Sequence, residues 1–319
     1  MPELTDLSDT PLSRIYARIQ RAISGLRGGK TFSFLAFDPD QAPGSYAGEE
    51  ILREGRRYLH RSYRSWAVLA EQLGCRMLTP RPHDPWRVRI TFQKLGEDSF
   101  HRERGAGKYG LHSPFARIRK EEEPAFYHYY LRALQRLGVA KRRRILALGL
   151  NRGDELEPIR ELAGDAFGEM EIIGIDLACD ALATAQKRFA PVLRTRCHDL
   201  NALAELDLGR FDLILSIGTL QSPGIKTKPL VMELVQQHLC DDGALLLGWP
   251  NARWIDGELL YGARAPNYPF SELSLVIKDL FWIRKYLQQH RYRVVVTGRE
   301  YLFLEATRIN SGSSRPAGK

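Results

Sequence analysis

The sequence predicts an α/β protein. A mostly parallel sheet of seven strands, closed by a terminal antiparallel hairpin, follows a smaller N-terminal α+β domain. Three observations predict this. Between residues 121 and 309, apolar runs alternate with amphipathic stretches in the βα rhythm of a parallel sheet. At the end of that region, runs 292–297 and 301–307 are separated only by Gly298-Arg299-Glu300, too short a link for a helical crossover. Residues 1–120 hold 21 Lys and Arg against 13 Asp and Glu, whereas residues 121–319 hold 26 against 25. Nearly the whole net charge of +9 therefore sits in the first third, as though that part met an anion.

Three regions follow: a basic N-terminal α+β domain over 1–120 that serves substrate or partner binding, the α/β domain over 121–309, and a tail over 310–319. In the first, residues 11–24 read as an amphipathic helix with Leu12, Ile15, Ile19 and Ile23 near one face. Thr31–Phe37 reads as a strand. Residues 49–73 read as one long helix, with Leu52, Leu59, Trp66, Leu69, Ala70 and Leu73 on one face. Arg53, Arg57, Arg61 and Arg64 fall on another face of that helix. Residues 87–95 alternate as a strand with Val88, Ile90 and Phe92 on one side. In the second region the strands are Arg144–Leu148, 171–175, 192–196, Phe211–Ile217 and 244–249, followed by the hairpin. The tail, NSGSSRPAGK, has no large apolar residue and is expected to be disordered.

Composition narrows the class. With 44% hydrophobic and 27% charged residues the chain is neither disordered nor membranous, and no run approaches the roughly 20 apolar residues of a spanning helix. Residues 1–9 are polar and acidic, unlike a secretory signal. Cys75, Cys179, Cys197 and Cys240 are far apart with no C-x-x-C, which argues against a zinc site or a disulfide framework. A cytoplasmic protein with reduced thiols, no metal and no membrane partner is expected; the oligomeric state is not legible.

The chemistry sits at strand ends. RILALGLNRG, residues 144–153, runs a strand into Gly149-x-x-x-Gly153, where glycines let the backbone turn sharply and approach a ligand. EIIGID, residues 171–176, ends the next strand in Asp176. There a carboxylate can accept from both hydroxyls of a ribose, or cap the following helix. RTRCHDL ends near Asp199, and RFDLILSIGTL carries Ser216-Ile217-Gly218 at its end. Two other fingerprints fail. SGLRGGKT, residues 24–31, has Ser24 where a P-loop needs glycine, and Asn151 breaks G-x-G-x-x-G.

The ordered set LALGLNRG, EIIGID, CHDL, FDLILSIGTL and CDDGALLLGWP resembles a class I S-adenosylmethionine-dependent methyltransferase over about 180 residues. The hairpin is similar to that family's reversed seventh strand. The resemblance implies a seven-stranded Rossmann-like sheet, S-adenosyl-L-methionine as cofactor and a transferase activity. By position, Gly149, Asn151 and Gly153 would form the loop under the methionyl part. Asp176 would meet the ribose and Asp199 the adenine amino group, and Leu177, next to Asp176, would also contact the cofactor. Leu200 would offer its backbone N–H to the ring, and Ser216 and Ile217 would line the wall near the methyl. The sequence departs from the family at Ala147, where an acidic residue is usual, and at Asn151, where glycine is usual. Either Asp154 or Glu155 can supply the missing carboxylate.

Substrate contacts are expected on the rim: Tyr109 and His112 before the first strand, Asn251 after the fifth, and Tyr261 in a long connection over 255–270 that also carries Arg264 and Tyr268. A small-molecule acceptor with an O or N atom is favoured. RNA held by Arg53, Arg57, Arg61 and Arg64 is the alternative, and a non-catalytic binding module is the third reading. No catalytic base is assigned.

Overall fold

The computed structural model describes residues 4–96, 114–222, 224–262 and 274–309. The chain divides into two compact units. One takes residues up to 99 together with Trp254–Leu260, and the other takes the remainder.

The first unit contains β1 (Thr5–Asp6), α1 (Leu12–Ser24), β2 (Thr31–Phe37), β3 (Glu50–Arg53), β4 (Arg56–Leu59), α2 (Tyr63–Gln72), β5 (Cys75–Met77), β6 (Arg81–Asp84) and β7 (Arg87–Lys94). β1, β2, β7 and β5 lie in that order, and β6 also pairs with β7. Alternation buries Val88, Ile90 and Phe92 on one face of β7. There they pack with Ile15, Ile19 and Ile23 of α1 and with Trp66, Leu69 and Ala70 of α2.

The long helix expected over 49–73 does not form. β3 and β4 make a hairpin in register Arg53↔Arg56. Its two turn residues, Glu54 and Gly55, both have positive φ (49° and 75°), as a two-residue hairpin loop of the I′ kind requires. The helix starts only after Ser62, whose hydroxyl caps it by accepting from the Ser65 backbone N–H. The arginines at helical spacing therefore do not share a face. Arg53 and Arg57 lie on the hairpin, Arg57 paired with Glu50. Arg61 is buried between hairpin and helix, and Arg64 is exposed on α2.

The second unit contains α3 (Pro124–Arg136), β8 (Arg144–Leu148), α4 (Glu157–Ala163), β9 (Glu171–Asp176), α5 (Cys179–Arg188), β10 (Leu193–Cys197), β11 (Phe211–Ile217), α6 (Thr227–Glu233), β12 (Leu239–Pro250), α7 (Ser274–Gln289), β15 (Tyr292–Gly298) and β16 (Tyr301–Arg308). β13 (Ala252–Ile255) and β14 (Glu258–Tyr261) form a separate hairpin after β12. The sheet order is β10-β9-β8-β11-β12-β16-β15. The first five strands are mutually parallel, and β16 runs antiparallel to both β12 and β15. Strands covered on both faces need continuous apolar runs, and Ile145–Leu148 and Leu213–Leu215 are wholly buried. α3, α4 and α5 contribute to the core on one face, α6 and α7 to that on the other. No described helix is long and apolar enough to cross a membrane.

The expectation of four reduced thiols is overturned at one pair. Cys197 is the register partner of Asp176 across β10 and β9, and Cys179 opens the helix just after Asp176. The two cysteines form a disulfide with Cα atoms 5.2 Å apart, while Cys75 and Cys240 are free. Parallel pairing brings together residues that are 18 apart in sequence. Alkylation of the unfolded, unreduced chain should label two thiols, and four after reduction. Cys179→Ser should lower stability by about 3 kcal/mol in urea melts run without reductant, because the bond closes a loop of this length. Four labelled thiols before reduction would contradict the bridge.

Candidate functional site

The sheet order reverses between β8 and β11, and the C-terminal strand ends at such a reversal are where open α/β sheets carry a ligand crevice. The turn after β8 fills one side. Gly149, Asn151 and Gly153 all have positive φ (71°, 48° and 75°). Gly149 cannot be replaced without a clash, since a Cβ would come within 1.9 Å of Thr219 Oγ1. Its N–H donates to the Ile175 carbonyl at 2.7 Å, tying the turn to β9.

Asp176 ends β9 beside that turn. Its Oδ2 accepts from the Asn151 N–H (2.9 Å) and its Oδ1 from the Ala178 N–H (2.8 Å). It thus shapes both the glycine turn and the start of the next helix. Leu177 follows with 60% of its surface exposed, an apolar platform at the end of β9. Asp199 caps the 3-10 turn that follows β10, its Oδ1 accepting from the Asn201 N–H and Nδ2, while Leu200 is buried. Ser216 and Ile217 are buried at the end of β11, and Ser216 Oγ has no hydrogen-bond partner among the described residues.

Asp154 and Glu155 separate sharply. Asp154 receives Arg119 (2.9 Å), Arg152 (2.9 Å) and Arg188. Burial pushes its carboxyl up, but the three guanidiniums prevail and hold it below its ordinary value. Arg152 also donates to the Ala116 carbonyl at 2.6 Å, so this knot fastens residues 116–121 across the glycine turn. The cavity left between them, walled by Gly149, Asn151, Ile118 and Lys120, measures about 60 Å³. Glu155 is only 4% exposed. Burial raises its carboxyl to about 7, with the Lys120 charge partly opposing. Tyr130 Oη donates to its backbone carbonyl at 3.0 Å. Lys120 Nζ reaches the Ile217 carbonyl at 3.4 Å, linking the Glu155 side of the crevice to β11.

Tyr301 joins this cluster from β16. Its hydroxyl is buried without a partner among the described residues, and a Cβ on Gly218 would lie 2.4 Å from it. Lys120, Tyr130 and Tyr301 escape a sequence reading because the first two precede the sheet and the third lies in its last strand, and only the fold gathers them.

On the rim, Asn251 is buried. Its Nδ2 donates to the Arg299 carbonyl (2.8 Å) and its N–H to the Glu300 carbonyl (2.8 Å), while Oδ1 has no partner among the described residues. Asn251 therefore fastens β12 to the hairpin turn, with one acceptor left. Tyr261 is half exposed at the end of β14. Tyr109, His112, Arg264, Tyr268 and the tail lie outside the described residues. Among the described residues no cluster of three or more His, Cys, Asp or Glu is placed to hold a metal ion.

Glu155 generates a pH prediction. Its folded value of about 7 exceeds the ordinary 4.5, so between these values the folded chain keeps a proton that the unfolded chain has lost. Stability contributed by this group therefore falls as pH rises through that window, by up to about 3 kcal/mol. Glu155→Gln removes the titration and keeps the shape. Its advantage over wild type should be small at pH 5 and several times larger at pH 8. Urea melts of both proteins at both pH values measure this, and a difference that does not grow with pH would count against a buried carboxyl.

No family model matches the chain, and no curated protein matches it. Among solved structures it is similar to the plantazolicin methyltransferase BpumL in complex with a monoazolic desmethylPZN analog and SAH, with 14% identity and a TM-score of 0.44 over 60% of this chain and 88% of that one. It is also similar to the N-methyltransferase NodS from Bradyrhizobium japonicum WM9 in complex with S-adenosyl-L-homocysteine, with 17% identity and a TM-score of 0.40 over 60% and 90%. A SAM dependent methyltransferase from Aquifex aeolicus matches with 15% identity and a TM-score of 0.42 over 61% and 98%. The fold itself is given by the strand order: five parallel strands with the reversal between β8 and β11, and β16 alone inverted, make up a seven-stranded Rossmann-like sheet.

Proposed function

We propose that the second unit binds S-adenosylmethionine in the crevice between β8 and β11 and passes its methyl group to an oxygen or nitrogen of a small molecule. The observation that carries this reading is the convergence of the glycine turn, Asp176 and the Ser216-Ile217-Gly218 strand end at the point where the strand order reverses. The residues fit the cofactor. A carboxylate offers about four acceptor sites, and Asp176 uses one on each oxygen, which leaves room for two ribose hydroxyls. Leu177 supplies an exposed apolar face for the adenine, with Asp199 and the Leu200 N–H at its edge. The turn 149–153 would take the methionyl part, and Ser216 and Ile217 the wall near the methyl.

Asp154 is committed to three arginines, which leaves Glu155 as the carboxyl for the cofactor's ammonium. A group poised near neutrality ionises when a cation arrives beside it. A cavity of about 60 Å³ is small beside ordinary ligand sites of roughly 300 Å³ or more. Entry therefore requires residues 116–121 to shift while the Arg152 and Arg119 contacts open or slide.

When bound, the cofactor supplies an activated methyl on a sulfonium. The chain's task is then alignment more than acid–base work, because an in-line displacement depends first on the placement of acceptor, carbon and sulfur. Asn251 and Tyr261 stand after β12, and Tyr109 and His112 precede the sheet in sequence; these are proposed to contact the acceptor. A small acceptor is preferred over RNA because the four arginines that suggested a phosphate track lie on different elements, one of them buried. Ser216-Ile217-Gly218-Thr219 also stands where many nucleic-acid amine methyltransferases carry an Asn-Pro-Pro-Tyr type of signature.

Calorimetry on the purified chain with S-adenosylmethionine and with its demethylated product tests the reading. Wild type should bind both. Asp176→Ala, checked for folding by circular dichroism, should bind at least tenfold more weakly, since each charge-assisted hydrogen bond lost is worth about 1.5–3 kcal/mol. A folded wild type that binds neither ligand would falsify the enzyme reading.

A further inference from the structure

A second concavity lies wholly within the first unit, apart from the crevice described above. It is a groove of about 700 Å³ between α1 and α2. Leu12 and Tyr16, one turn apart on α1, form one wall; Val68 of α2 forms the other; all three are 40–51% exposed. Trp66 and Leu69 are buried beneath.

Arg61 also lines this groove and is only 5% exposed. One end of its guanidinium, Nη2, donates to the Thr10 carbonyl at 2.9 Å. The other, Nη1, has no partner among the described residues, and no described Asp or Glu forms an ion pair with it. The guanidinium carbon lies 5.5 Å from the centre of the Trp66 ring, and the Trp66 Nε1–H is likewise buried without an acceptor. No Asp or Glu occurs among the lining residues. Two neighbouring buried donors, one of them a cation, thus lack any acceptor, whereas buried charges are ordinarily paired.

We propose that this groove binds a small amphipathic carboxylic acid, its carboxylate on Arg61 and Trp66 and its apolar body along Leu12, Tyr16 and Val68. A carboxylate is acceptor-only and carries one charge, matching one guanidinium and one indole N–H. Arg64, the other cation of the lining, is exposed to water, so the sheltered floor offers one charge, too little for a phosphate dianion. The stretch of α2 from Ser65 to Gln72 that lines the groove rises about 10 Å, the length of a short acyl chain. Both donors are sheltered from water, so the head group reaches them only by displacing a side chain at the rim.

Calorimetry on the full chain with octanoate, octanamide and inorganic phosphate tests the proposal. Octanoate should bind roughly tenfold or more tightly than octanamide, and phosphate should give no binding. Arg61→Met should abolish the preference for the acid. Since a buried residue can also matter for folding, Val68→Asp at a half-exposed position serves as the second variant. It should keep the wild-type circular dichroism spectrum and lose octanoate binding. The proposal is overturned if octanoate fails to bind, if it binds no better than octanamide, or if Val68→Asp binds it as wild type does. It is equally overturned if sedimentation shows a dimer that Val68→Asp dissociates, because a second copy would then be the occupant.

Discussion

The second unit depends on one buried carboxylate. Asp154 follows directly on the glycine turn and receives three guanidiniums that come from different places: Arg119 before α3, Arg152 from the turn itself, and Arg188 from the end of α5. A carboxylate this sheltered is costly to bury unless it is paired, and removing it would leave three cations converging on an empty position. Arg188 also holds Glu157 at the start of α4, so the network spans turn, helix and covering segment. It sets the shape of the turn on which any ligand of the crevice must rest. It also explains why two adjacent acids differ so much: the arginines keep Asp154 ionised, while Glu155, one residue on, faces tyrosines and a lone lysine in a dry environment.

The parallel sheet is legible in the sequence because its physics is local to each strand. A strand buried on both faces must be apolar at nearly every position, and 213–215 and 244–249 announce themselves in that way. The terminal hairpin is legible from the length of its link alone. The stretch 49–73 misleads because its leucines and arginines recur at helical spacing by coincidence, while the decisive signal is the dipeptide Glu54-Gly55. Glutamate is not a typical residue at positive φ, so the turn does not stand out. Once a two-residue loop is placed there, the same apolar residues divide between a hairpin and a short capped helix.

The candidate site is legible only where a strand end carries it. Gly149, Asp176 and Ser216 each close an apolar run, and the order of those runs places them together. The Cys179–Cys197 bridge is invisible to spacing rules because it is created by register: β10 sets Cys197 opposite Asp176, and the turn of the chain returns Cys179 to the same edge. The cluster of Glu155, Lys120 and Tyr301 is hidden for the same reason at greater range, since β16 reaches β8's end only by pairing first with β12.

The basic surplus of the first third takes on a different meaning once its arginines are placed. Arg56 and Arg87 share Asp6, whose carboxyl burial would raise but which Ser8 and the two arginines hold at about 2. Arg76 binds Asp256 and Glu258, acids that arrive from a segment 180 residues further on. Arg57 has Glu50. These four cations serve particular junctions of the fold. Charge counted along the chain measures how many cations a unit carries, whereas binding depends on which of them its own acids leave unanswered. Among the described residues of the first unit the buried one left so is Arg61, and it lies beneath a largely apolar groove where an opposite charge has a large effect.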